Sequence, residues 1–139
     1  MRRRWRWTAI AGVALAALAG SFIFAMDPLW RNDERLNALR QRIVAYPLPP
    51  ETELFDSEES FGRLNHDLVG HCEYRVRVTL YTGLSEDKIR AYYGNAKIAG
   101  LDDDIPIYLW FQDSPYPGWR PFIIEVVDAH LKNGDWRCT

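Results

Sequence analysis

Residues 8–26, TAIAGVALAALAGSFIFAM, contain no charged side chain. No other feature of this chain restricts its folding as much. As a helix rising about 1.5 Å per residue, the stretch is roughly 28 Å long, close to the hydrocarbon thickness of a bilayer. Lipid cannot satisfy a bare peptide group, so a spanning segment of this kind must be helical. Arg2, Arg3, Arg4 and Arg6 precede it and Asp27 follows it. The positive-inside rule predicts a cytoplasmic basic segment over residues 1–7, a single-pass transmembrane helix over 8–26 and an extracytoplasmic remainder. This is the topology of a signal-anchored protein of the plasma (inner) membrane. Trp5 and Trp7 fall where an interfacial aromatic belt would lie. Two other readings compete. Ala17, Leu18 and Ala19 form a small-x-small signal-peptidase site, but cleavage after Ala19 would leave Phe22, Ile23 and Phe24 on the mature end. Ser21 stands where a lipoprotein carries its cysteine, which removes thioether lipidation.

The formal charge of −2 is unevenly spread. Four of the 17 basic residues precede residue 8, so residues 27–139 hold 13 basic and all 19 acidic residues, a net of −6. Such a body lacks the cationic footprint with which a protein displaces counterions from nucleic acid. At 139 residues the chain has length for one small domain beyond the span.

Asp27 and Pro28 resemble a helix start, an N-cap followed by proline at the first helical position. Leu29, Leu36, Leu39 and Ile43 then recur at helical spacing until Pro47, Pro49 and Pro50 forbid continuation. Residues 27–45 therefore read as a stalk helix. Leu29, Leu36 and Ile43, seven apart, also raise a dimerising coiled coil and with it a homodimer.

Residues 46–139 read as the extracytoplasmic domain. A polar strand is predicted over 52–64, its acidic residues Glu51, Glu53, Asp56, Glu58 and Glu59 forming the wet side of a sheet edge. From Cys72 to Leu80, apolar Cys72, Tyr74, Val76, Val78 and Leu80 alternate with Glu73, Arg75, Arg77 and Thr79, the period of a half-buried strand. Ser85 is placed to cap a short helix with Glu86 and Asp87 in its first turn. Leu84 and Ile89 occupy its hydrophobic-staple positions, and Ile89, Tyr92, Tyr93 and Ala96 form its apolar stripe. Strands follow over 105–112 and 122–131, joined by a Pro/Gly-dense hairpin loop over 114–121. Asn133 and Gly134 signal a turn that would return the tail along the last strand. The predicted fold is α+β: an N-terminal transmembrane helix, then a small, mostly antiparallel sheet covered on one face by a short helix. Cys72 and Cys138 are the two cysteines, and in an exported domain a pair is expected to be oxidised into a disulfide.

Three stretches together resemble a group of bacterial membrane-anchored or lipid-anchored extracytoplasmic proteins: Tyr46-Pro47-Leu48-Pro49-Pro50-Glu51-Thr52, Cys72-Glu73-Tyr74, and residues 80–93, LYTGLSEDKIRAYY. The resemblance covers roughly residues 46–93. It implies an extracytoplasmic α+β module and brings no catalytic residue with it.

Candidate chemistry is sparse. His66, Asp67, His71, Cys72 and Glu73 cluster in sequence as zinc ligands do, yet no second cluster completes a site and a bridged Cys72 could not ligate. Asp102, Asp103 and Asp104 lack the alternation and glycine of a calcium loop and read as a solvated turn. No nucleophile elbow, S-x-x-K or phosphate-binding loop occurs, and the acidic edge-strand residues offer no legible glycosidase pair. Neither a catalytic residue nor a cofactor or metal is therefore assigned. Tyr116, Trp119 and Arg120 are the candidate binding residues, since rigid aromatics beside an arginine suit peptide or sugar recognition. The competing expectation is that Trp119 folds back over the sheet edge into the core. These observations predict a membrane-anchored binding or assembly module with an envelope protein or glycan as partner and no nucleic acid. A small envelope hydrolase or a metal-binding protein using His66, Asp67 and His71 is the alternative.

Overall fold

The computed structural model describes residues 2–63, 71–114, 118–131 and 135–138. Helix α1 is continuous over Arg2–Val44, 43 residues with Pro28 inside it. Asp27 is therefore not an N-cap. Its carboxylate instead pairs with Arg31 one turn on, at 2.7 Å. Pro28 removes one backbone hydrogen bond, but the apolar run before it and the packed stripe after it hold both flanks helical.

The first part of α1 is long and apolar enough to cross a membrane, and the apolar window of that span is 0% buried. Val13, Leu15, Leu18, Phe22 and Ile23 all project clear of the protein. The second part packs on the sheet. Leu36, Leu39 and Ile43 are buried in the core of the domain, so two of the three residues of the heptad seam, Leu36 and Ile43, are covered by the chain's own sheet, while Leu29 is half-buried.

Four antiparallel strands form that sheet in the order β1-β2-β6-β5: β1 Thr52–Gly62, β2 His71–Thr82, β5 Tyr108–Phe111 and β6 Arg120–Leu131. Acidic β1 is an edge strand, as its composition predicts. In β2 the dry side of the alternation is realised, Cys72, Tyr74, Val76, Val78 and Leu80 being each at most 1% exposed, but Glu73, expected on the wet face, is buried and pairs with Arg75 at 3.3 Å. Paired opposite them in β6, Phe122, Ile124 and Val126 complete the dry face. Leu36, Leu39 and Ile43 cover it from α1, and Ile89 and Tyr93 from the short helix α2, Glu86–Tyr93. Ser85 sits at the N-cap position, but its hydroxyl makes no cap; its carbonyl accepts from the Lys88 and Ile89 amides.

The strand expected over 105–112 is split. β4 (Asp104–Pro106) pairs with β3 (Lys97–Ala99) in a separate ribbon, and only β5 joins the main sheet, pairing with β6. Pro106 lacks the amide that a continuing ladder needs. The tail also departs from expectation. Trp136–Cys138 forms a 3₁₀ turn that docks on the far end of β1, where the Arg63 amide donates to the Arg137 carbonyl, rather than along β6. Cys72 and Cys138 lie at disulfide distance, with Cα atoms 5.4 Å apart. The expected turn at Asn133 and Gly134 lies outside the described residues.

Helix and sheet advance together. Asn32 lies beside Tyr74, Arg40 reaches Ser57 opposite Val78, and Tyr46 packs on Tyr93, which packs on Phe122 opposite Leu80. The N-terminal end of β2 thus lies near the apolar part of α1, and its C-terminal end points away from it.

Candidate functional site

At that far end, strand alternation separates the candidate residues. Trp119 and Arg120 are adjacent in sequence, so their side chains leave opposite faces of the sheet. Trp119 is 42% exposed and lines an open cleft of about 420 Å³ with Glu53, Leu54, Phe55 and Tyr81. It does not fold into the core. Arg120 belongs to a second cleft, of about 540 Å³, on the α2 side, with Glu86, Arg90, Trp110 and Asp113 among its lining. Tyr116 lies outside the described residues.

The first cleft depends on an irregularity in β1. Register slips between Leu54 and Asp56, leaving Phe55 as an extra residue in the edge strand. Such a bulge bends a strand and re-aims its side chains. Here the Phe55 ring meets Tyr81 edge-on at 5.2 Å while remaining 69% exposed. Leu54 is also exposed. The turn before β1 is tight: Glu51 has φ 53°, its carbonyl accepts from the Gly83 amide, and the Thr52 hydroxyl donates to that of Thr82. These bonds tie the start of β1 to the end of β2. Two adjacent apolar residues in an otherwise acidic strand were the available sequence signal for it, and sequence reasoning passed over them.

The second cleft is self-neutralising. Arg90 pairs with Glu86 at 2.5 Å and lies over the Phe111 ring, 4.6 Å from its centroid. Its cation is thereby engaged within the protein.

The remaining candidates do not assemble. His66 and Asp67 lie outside the described residues, and among the described residues no three His, Cys, Asp or Glu side chains could together hold a metal. Asp102, Asp103 and Asp104 are exposed, and Asp102 pairs with His130 Nδ1 at 3.0 Å. Glu59 turns to the helix side and pairs with Arg40 at 3.7 Å, away from Glu53.

At the opposite end of the sheet a polar cluster is closed off. Asn32 and Asp135 are at most 2% exposed. The Tyr74 hydroxyl donates to Asn32 Oδ1 at 2.6 Å, and Asn32 Nδ2 donates to Asp135 Oδ2 at 2.8 Å. Arg137 donates to Asp135 and, at 2.7 Å, to Asp33, while its guanidinium lies over the Phe61 ring. Burial alone would raise the Asp135 pKa, but hydrogen bonds from Arg137 and Asn32 overcome it and hold the carboxyl below its ordinary value. Burial foremost raises the Tyr74 phenol, keeping it a neutral donor. Each group found here faces a partner in the same cluster, which marks it as a structural clamp.

No protein-family model matches the chain, and neither a curated protein nor a solved structure matches it.

Proposed function

We propose that the protein is a single-pass, membrane-anchored binding module. Its sheet domain lies outside the cytoplasm and offers the cleft between Phe55, Tyr81 and Trp119 to a protein of the cell envelope. The observation that carries this reading is the gathering of exposed Leu54, Phe55 and Trp119 with Tyr81 around one concavity. Exposed aromatics gathered in one concavity are the usual anchors of a protein interface. A protein partner fits better than a glycan. Sugars need several converging hydrogen-bonding groups, whereas Leu54, Phe55 and Trp119 suit an inserted apolar side chain, with Glu53 as the charged member of the described lining. The unburied apolar helix, the arginines before it and the cysteine pair support export. The cleft then lies away from the membrane: Tyr81 is seven strand positions beyond Tyr74, about 23 Å at 3.3 Å per residue.

A photo-crosslinking amino acid at Trp119, activated in intact cells, tests this. The expected result is one discrete adduct with an envelope protein, abolished by Phe55→Asp in a variant of unchanged melting temperature. An adduct indifferent to Phe55→Asp, or none, overturns the binding reading. Protease added to spheroplasts should remove the sheet domain, and its protection would overturn the topology.

A further inference from the structure

Two large apolar side chains lie at the opposite end of the domain from the cleft. Trp30, on α1, is 68% exposed, and Trp136, in the C-terminal turn, is 70% exposed. They stand at one level along the helix. Arg137, the neighbour of Trp136, donates to the Leu29 carbonyl at 3.4 Å and to Asp33, and Asp135 on its other side accepts from Asn32. The turn that carries Trp136 thus sits beside residues 29–33, only three to seven positions past Met26, the last residue of the apolar run. At about 1.5 Å per residue that is roughly 5–10 Å beyond the hydrocarbon, the depth of the headgroup layer.

The turn is also rigidly held. Cys138 is 0% exposed and at disulfide distance from β2, and Asp135 is 2% exposed within the polar cluster. Between two such fixed points Trp136 is held outward. An indole, with an apolar body and one N–H donor, partitions favourably to the membrane interface, where one side is wet and the other is not.

We propose that this turn is a second membrane contact. Resting on the reading that α1 spans the bilayer, Trp136 and Trp30 seat their indoles in the headgroup layer of that same bilayer. The domain then rests on the membrane through the tail as well as the helix. One point of attachment leaves a domain free to tilt; two restrict it.

The full-length chain, labelled with 5-fluorotryptophan and placed in phosphatidylcholine–phosphatidylglycerol nanodiscs, separates the possibilities by ¹⁹F NMR. A spin label on the lipid headgroup should broaden the Trp136 and Trp30 resonances severalfold and leave Trp119 sharp. Trp136→Phe and Trp30→Phe assign the signals. If Trp30 broadens while Trp136 stays as sharp as Trp119, the second contact is overturned and the span stands. If neither broadens, the span itself fails and the contact with it.

Discussion

The two ends of the sheet are built on opposite plans. At the end nearer the apolar helix, polar groups are buried and paired: Tyr74 to Asn32, Asn32 to Asp135, Asp135 to Arg137, with a cysteine pair beside them. Exposed Trp30 and Trp136 flank that cluster singly, whereas at the other end Leu54, Phe55 and Trp119 are exposed together around a cleft. Buried polar networks cost stability unless fully paired, and when paired they fix one geometry. Open aromatics contribute little to folding and much to association. One end therefore holds the domain to its helix, and the other is free to meet something else.

Changes at the first end should be felt in stability. Replacing Cys72 and Cys138 by serine should have the largest effect, a loss of about 2–5 kcal/mol in denaturant unfolding, because the pair closes a loop with a sequence separation of 66. A loss below about 1 kcal/mol would mean the polar contacts alone hold the tail. Next in size, Asp135→Ala should cost about 3 kcal/mol by removing the buried acceptor that Arg137 and Asn32 share. Acid should produce a graded form of the same loss. The Asp135 carboxyl is held below its ordinary pKa, so its contribution is complete above about pH 4 and disappears as pH falls through the lower folded value. Melting temperature followed through that range should fall more steeply in the parent than in Asp135→Asn, and identical slopes would remove Asp135 from the account. The smallest stability effect belongs to the other end. Trp119→Ala should change unfolding free energy by less than about 1 kcal/mol, while removing the partner crosslink made from a probe at Phe55. A loss of several kcal/mol would turn Trp119 into a core residue and erase the contrast.

Much of the fold was legible because it rests on local periodicity. The alternation from Cys72 to Leu80 gave the central strand, and Leu84 with Ile89 marked the short helix. The apolar run of residues 8–26 gave the span-length helix. Periodicity names the apolar face but not its neighbour, so Leu36, Leu39 and Ile43 were legible as a stripe and not as the lid of the sheet. Cap signals at Asp27 and Pro28 were misleading for a related reason: they describe a helix that begins there, and this one arrives already formed. Of the site, Trp119 was legible as a rigid aromatic in a turn-rich loop. Leu54, Phe55 and Tyr81 were not, because only the register slip in β1 and its pairing with β2 bring them together. Arg120 and Trp119 are separated by strand alternation and line different clefts.

The absence of a break in α1 between its lipid-length portion and the sheet has a mechanical corollary. Helix and domain form one crank: each residue inserted between 26 and 32 would swing the Trp119 cleft by about 100° around the helix axis. The compass bearing of the cleft is therefore written into the count of residues along that short run.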